Sequence, residues 1–128
     1  DMIKPTTGFL LLLLLTAVTI SLYSAGNGTE WDYRQLRELI ASGEDYLLLD
    51  VRTPGEYEEG HIPTAGNIPY DQLPGGMTPV SKDSLIVVYC RSGRRSGIAR
   101  QSLEAAGYTN VQDFGGISRW QGELVFSD

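Results

Sequence analysis

The fold is decided by one stretch of sequence, residues 85–99, which reads LIVVYCRSGRRSGIA. Its first five residues are apolar or aromatic, as expected of a strand that is buried on both faces of a sheet. From Ser96 to Ala106 the apolar residues recur at helical spacing, which predicts a helix. Residues 90–95 then form the turn between the strand and the helix. This order places Cys90 at the carboxyl end of a strand, where α/β sheets bind their ligands.

The rest of the chain continues this alternation of strands and helices. Asp32 and Gln35 have the spacing of a capping box, which predicts that a helix begins there. A second continuous apolar run, at residues 46–49, predicts another buried strand. The remaining elements are predicted as a short helix at 54–59, a short strand at 67–68 and a last strand at 110–114. Strands that alternate with helices predict an α/β domain with a mainly parallel sheet.

Cys90 is the only cysteine of the chain, and basic residues surround it. No acidic residue lies between Asp83 and Glu104, although the formal net charge of the chain is −6. The same interval contains four arginines, Arg91, Arg94, Arg95 and Arg100. Cations and a helix N-terminus both stabilise a thiolate and lower the pKa of a cysteine from about 8.5, and the backbone N–H groups of the turn add a cradle for an anion. We therefore interpret Cys90 as a reactive thiol rather than as a buried structural cysteine.

Three motifs, in this order along the chain, resemble those of the rhodanese-like sulfurtransferases. The upstream motif consists of LDVRTPGEY at 49–57 followed by GHIPTAGNIP at 60–69. The second motif is the loop CRSGRRS at 90–96, and the third is Gly115-Gly116 with Trp120. The resemblance covers about residues 30–126. Thr64 departs from the family pattern, which usually has a glycine at this position.

The resemblance implies both an architecture and a chemistry. It implies a three-layer α/β domain with a central, mainly parallel five-stranded sheet flanked by helices. It also implies that Cys90 carries sulfur as a persulfide, taken from a thiosulfate-like anionic donor and passed to cyanide or a thiol without a cofactor. The residues expected to bind the donor and hold the sulfur are Arg91, Ser92, Gly93, Arg94, Arg95 and Ser96.

The spacing between the cysteine and the arginine separates two reaction classes. Related phosphatases and arsenate reductases have C-x5-R loops that fit a tetrahedral oxyanion, whereas Cys90 and Arg95 give the shorter C-x4-R. The resemblance associates the shorter loop with sulfur transfer, and a phosphatase is the less favoured enzyme. A non-catalytic persulfide carrier that serves a partner protein is the alternative from another class, because the acceptor is not legible in the sequence.

Composition sets the number of domains and argues against several partners. A chain of 128 residues, 41% of them hydrophobic, suffices for one domain, which we assign to residues 27–128 and expect to be a monomer. The pI of about 4.7 argues against nucleic-acid binding. His61 is the only histidine and lies far from Cys90 in sequence, so no metal site is predicted. We interpret His61 as structural, with a general base as the alternative, and expect Asp50 and Arg52 to form a structural ion pair.

The N-terminal region predicts export. An apolar run at residues 9–23 follows one basic residue, Lys4, and precedes the small residues Ser24-Ala25-Gly26. Its length fits the hydrophobic region of a signal peptide, about 7–15 residues, better than a spanning helix, which needs about 20. We assign residues 1–26 to a signal peptide, with a retained membrane anchor as the alternative. Either assignment places the catalytic domain in the periplasm or another extracytoplasmic space, and the anchor adds membrane contact through residues 9–23.

Overall fold

The computed structural model describes residues 30–126 of the chain. The helices are α1 (Tyr33–Ser42), α2 (Pro54–Glu58) and α3 (Arg94–Ala105), and the strands are β1 (Leu47–Asp50), β2 (Gly66–Asn67), β3 (Ile86–Cys90) and β4 (Val111–Gly116). Single 3-10 turns lie at Tyr70–Gln72 and Ile117–Arg119. No helix within the described range is long and apolar enough to cross a membrane. The export segment expected at residues 1–26 lies outside the described residues and stays a prediction.

The strands form one parallel sheet in the order β2-β1-β3-β4, which confirms the predicted α/β class. Four strands are present in residues 30–126, not the five that the resemblance implied. The last described segment makes an isolated antiparallel bridge, in which Val125 and His61 exchange two backbone hydrogen bonds of 2.9 and 2.8 Å. This bridge cannot continue as a ladder towards Pro63, because proline has no N–H to donate at the next pairing position.

The side chains of β3 alternate between the two faces of the sheet, and this alternation creates the three layers. Tyr89 packs in the hydrophobic cluster that contains the buried residues of α1. Val88 and Cys90 pack in the opposite cluster, with the buried residues of α3. All five residues of β3 are fully buried, which explains why its sequence is continuously apolar and shows no alternation with polar residues. The Cys90 side chain thus lies in the α3 layer.

Helix α3 begins at Arg94, two residues before the start predicted from apolar spacing. Gly93 precedes the helix with a φ of 101°, in the left-handed region that glycine tolerates best. This conformation reverses the chain soon after Cys90 and lets the helix start early. The turn therefore consists of residues 91–93, and residues 94–96 form the first turn of α3.

Thr64 occupies the position at which the family pattern has glycine, and its backbone keeps the glycine-like conformation with a φ of 73°. Such a conformation costs a residue with a Cβ roughly 1–2 kcal/mol. The hydroxyl groups of Thr64 and Tyr46 form a hydrogen bond of 2.8 Å across this turn. The departure from the pattern therefore leaves the turn itself intact.

Candidate active site

The Cys90 sulfur lies at the bottom of a cradle made by the residues that follow it. The Gly93 N–H donates a hydrogen bond of 3.0 Å to Sγ. The thiol lies 3.5 Å from Ser96 Oγ, and that hydroxyl in turn donates to the Gly93 carbonyl oxygen at 3.1 Å. Ser96 is fully buried in the first turn of α3, so the cradle joins the turn to the helix N-terminus. This arrangement confirms that the strand, turn and helix meet at the sulfur.

The pKa of the Cys90 thiol lies below its ordinary value. Burial raises this pKa, because it disfavours the charged form, but hydrogen bonding outweighs burial. The hydrogen-bonding groups are the Ser96 side chain and the backbone N–H groups of Ser96, Gly93 and Ser92. The cradle therefore stabilises a thiolate mainly through hydrogen bonds, whereas the arginine-rich sequence predicts a comparable contribution from the arginine charges.

The three arginines of the loop are placed in two different ways. Arg95 forms a bidentate ion pair with Glu56 of α2, with N–O distances of 2.7 and 3.0 Å. Arg91 and Arg94 are exposed and form no ion pair with any residue between 30 and 126. Arg95 and the Cys90 thiolate carry opposite charges, so each stabilises the charged form of the other. The charges available to an incoming anion at this loop are thus those of Arg91 and Arg94.

Glu56 belongs to the site, although the sequence does not predict its presence there. Its hydrogen bond with Arg95 lowers the pKa of the Glu56 carboxyl to about 2. The Thr53 backbone N–H and hydroxyl donate to the same carboxylate at 3.2 and 3.1 Å, in a capping box that begins α2. The spacing Thr-x-x-Glu could have predicted this capping box. It could not have predicted the ion pair, since Glu56 and Arg95 are 39 residues apart.

The carboxyl end of β4 forms one wall of the cradle. A Cβ on Gly116 would lie 2.8 Å from the Arg91 carbonyl oxygen, closer than real Cβ atoms approach. Gly115, the preceding residue, has a φ of 87°, and its N–H is held by Asp113 Oδ1 at 2.8 Å. The absence of a side chain at Gly116 therefore allows the turn after Cys90 to lie directly against β4.

Comparison with known proteins decides the family. A family model described as the rhodanese-like domain matches residues 32–123. The chain belongs to the rhodanese-like family.

Two curated relatives and one solved structure illustrate the similarity. A sulfurtransferase of Allochromatium vinosum is 42% identical over 92 residues, which cover 71% of this chain and 86% of the relative. The thiosulfate sulfurtransferase PspE of Escherichia coli is 37% identical over 71 residues, which cover 54% of this chain and 68% of the relative. The human single-domain sulfurtransferase TSTD1 superimposes with a TM-score of 0.63 at 30% identity and covers 71% of this chain and 91% of its own. These relatives support a transferase role in sulfur transfer for this rhodanese-like protein.

Asp50 and Arg52 of the rhodanese-like domain form the structural ion pair that the sequence predicted. The Asp50 carboxylate is fully buried and accepts hydrogen bonds from Arg52 Nε at 2.9 Å and from the Tyr89 hydroxyl at 3.0 Å. Arg52 also donates to the Gly60 carbonyl oxygen at 2.8 Å. Burial raises the pKa of Tyr89, so the phenol keeps its proton and donates a hydrogen bond to Asp50. Every buried side-chain polar atom of the described residues has a hydrogen-bond partner, as expected of a structural network.

His61 is also held by packing contacts. Its ring stacks on that of Tyr57, with the ring centroids 3.7 Å apart and the planes 9° from parallel. Nδ1 lies 3.0 Å from the Tyr57 carbonyl oxygen, and the side chain of Tyr57 donates to the Ala65 carbonyl at 2.7 Å. The structural interpretation of the histidine fits these contacts better than a general base does.

A pocket of about 250 Å³ opens beside the rhodanese-like loop. It is lined by Arg52, Glu56, Glu59, Gly60, Arg91, Ile117 and Leu124. Arg91 follows the cysteine directly, and Ile117 follows the Gly116 wall of the cradle. The pocket is therefore contiguous with the turn that carries the sulfur.

Proposed function

We propose that the protein transfers a sulfane sulfur from an anionic donor such as thiosulfate to cyanide or a thiol, through a persulfide on Cys90. The observation that carries this proposal is the hydrogen-bonded cradle around a sulfur whose pKa is lowered. A lowered pKa increases the fraction of thiolate, which is the nucleophilic form of a cysteine. The relatives named sulfurtransferase make sulfur the expected group to be transferred.

In the first half-reaction, the Cys90 thiolate attacks the outer sulfur of thiosulfate. A bond forms between Sγ and that sulfur, and the bond between the two sulfur atoms of the donor breaks. Its electron pair leaves with sulfite, and the enzyme keeps a persulfide anion. The exposed guanidinium groups of Arg91 and Arg94 attract the dianionic donor, and positive charge beside the reacting group stabilises the charge on departing sulfite.

In the second half-reaction, the acceptor attacks the outer sulfur of the persulfide. Cyanide leaves as thiocyanate, and a thiolate acceptor leaves as a persulfide of its own. In both cases the sulfur–sulfur bond at Cys90 breaks, and its electron pair returns to Sγ. The N–H groups that stabilise the resting thiolate also stabilise Sγ as this leaving group, because the negative charge returns to the same atom.

Mass spectrometry of the purified protein tests the proposal. Thiosulfate should add the mass of one sulfur atom, and cyanide should remove it with release of thiocyanate. Because the chain has one cysteine, Cys90→Ser should abolish both the mass increase and thiocyanate formation. A persulfide that forms but does not react with cyanide or small thiols would favour the protein-specific carrier, and turnover by Cys90→Ser would refute the mechanism.

A further inference from the structure

The pocket beside the loop is lined by charged side chains of two kinds, those that form an ion pair and those that do not. Arg52 is bound to Asp50, and Glu56 is bound to Arg95. The other two charged residues of the lining, Glu59 and Arg91, are exposed, and neither forms an ion pair within the part of the chain that the structure describes. The pocket thus offers a ligand one carboxylate and one guanidinium that are free of other partners there.

The remaining walls of the pocket are apolar. Ile117 and Leu124 contribute the side chains, and Gly60 contributes bare backbone. A Cβ on Gly60 would lie 3.3 Å from Leu124 Cδ1, so the missing side chain lets the C-terminal segment close against the pocket. A volume of about 250 Å³ is below the roughly 300–1,000 Å³ of typical drug-binding sites, which favours a ligand of amino-acid size.

We infer that this pocket binds the acceptor and selects small thiols that carry both an ammonium and a carboxylate group. This inference rests on the proposed function. Glu59 binds the ammonium group, Arg91 binds the carboxylate, and the short carbon chain lies against Ile117 and Leu124. Arg91 lines the pocket and follows Cys90 in the chain, so the inferred site lies against the turn that carries the persulfide.

The transfer step conserves atoms and charge. The acceptor thiol gives its proton to solvent, and its thiolate attacks the outer sulfur of the Cys90 persulfide. The new sulfur–sulfur bond joins the acceptor to that sulfur, and the enzyme regains the Cys90 thiolate. No oxidant or reductant is needed, because the sulfane sulfur changes only its partner.

The test compares two acceptors on the full protein after loading with thiosulfate. Cysteine has the ammonium group, whereas 3-mercaptopropionate has the same carbon chain and carboxylate without it. The measurement is the ratio of the rate constants with which the two thiols remove sulfur from Cys90, at low ionic strength because exposed charges are screened by salt. Glu59→Gln should lower this ratio about three- to fivefold, as expected for loss of one exposed ion pair.

Glu58→Gln is the matched control, because Glu58 is the exposed neighbour of Glu59 and does not line the pocket. It removes the same charge and should leave the ratio at the wild-type value. An unchanged ratio in Glu59→Gln, or an equal decrease in Glu58→Gln, would overturn the inference. Failure of the proposed function gives a different result at the loading step: the protein gains no sulfur from thiosulfate. The same ratio is then measured after loading with inorganic polysulfide, and failure of that loading as well overturns the inference.

Discussion

Gly116→Ala should displace the turn that holds the Cys90 sulfur. The added Cβ would lie 2.8 Å from the Arg91 carbonyl oxygen and 3.3 Å from Ser92 Cα, whereas ordinary contacts begin near 3.4 Å. Both neighbours are backbone atoms, so no side chain can rotate away to make room. The φ and ψ of Gly116, −84° and 144°, are open to alanine, and the effect is therefore purely steric.

The displacement must be about half an ångström, and it falls on the turn that aims the Gly93 N–H at Sγ. We expect a loss of about 1–3 kcal/mol in the free energy of unfolding, which is typical of overpacking. We also expect persulfide formation to slow by roughly 10-fold, because a misplacement of about 1 Å can cost 100-fold and this one is about half as large. Urea denaturation measures the first quantity, and rapid mixing with thiosulfate followed by mass spectrometry measures the second.

Gly66→Ala is the control for this experiment. Gly66 lies in β2, and a Cβ at this position would meet no atom within 4 Å. The control should react with thiosulfate at the wild-type rate. Wild-type stability and wild-type persulfide formation in Gly116→Ala would refute the argument that β4 sets the position of the loop.

Three further predictions concern the charges and the size of the cradle. The lowered pKa of Glu56 contributes stability that is present above its ordinary value near 4.5 and is lost as the pH falls towards about 2. Glu56→Gln should therefore destabilise the protein by about 1 kcal/mol near neutral pH, a value reduced for solvent screening of this partly exposed pair, and by almost nothing near pH 2 in urea denaturation. Ser96→Ala removes the hydroxyl beside Sγ and should shift the pH profile of iodoacetamide alkylation of Cys90 to higher pH; an unchanged profile would contradict the role of this hydroxyl. The wild-type protein should hydrolyse aryl phosphates no faster than background, and hydrolysis that depends on Cys90 would favour the phosphatase.

The strand, turn and helix around Cys90 could be predicted because their signals are local. A continuous apolar run reports burial on both faces of a parallel sheet, and the capping box of Asp32 and Gln35 needs only four consecutive residues. The start of α3 was less accurate because apolar periodicity marks only the buried face of a helix. Arg94 and Arg95 are polar, so the first turn of the helix left no trace in that pattern.

The contacts that complete the site could not be predicted because they depend on the three-dimensional register of distant segments. The approach of Gly116 to the Arg91 carbonyl follows from the pairing of β3 with β4, which shifts register between Val88 and Tyr89. No local pattern in the sequence specifies this irregularity. The same holds for the pairing of Glu56 with Arg95, which joins two segments 39 residues apart.

Stabilisation of the Cys90 thiolate and attraction of an anionic donor should respond differently to salt. Sγ is fully buried, and neutral hydrogen-bond donors at contact distance stabilise its thiolate, so mobile ions cannot screen them effectively. Under the proposed function Arg91 and Arg94 attract the donor from exposed positions, where screening is strong at physiological ionic strength. Salt should therefore weaken capture of an anionic donor while leaving the nucleophile itself intact.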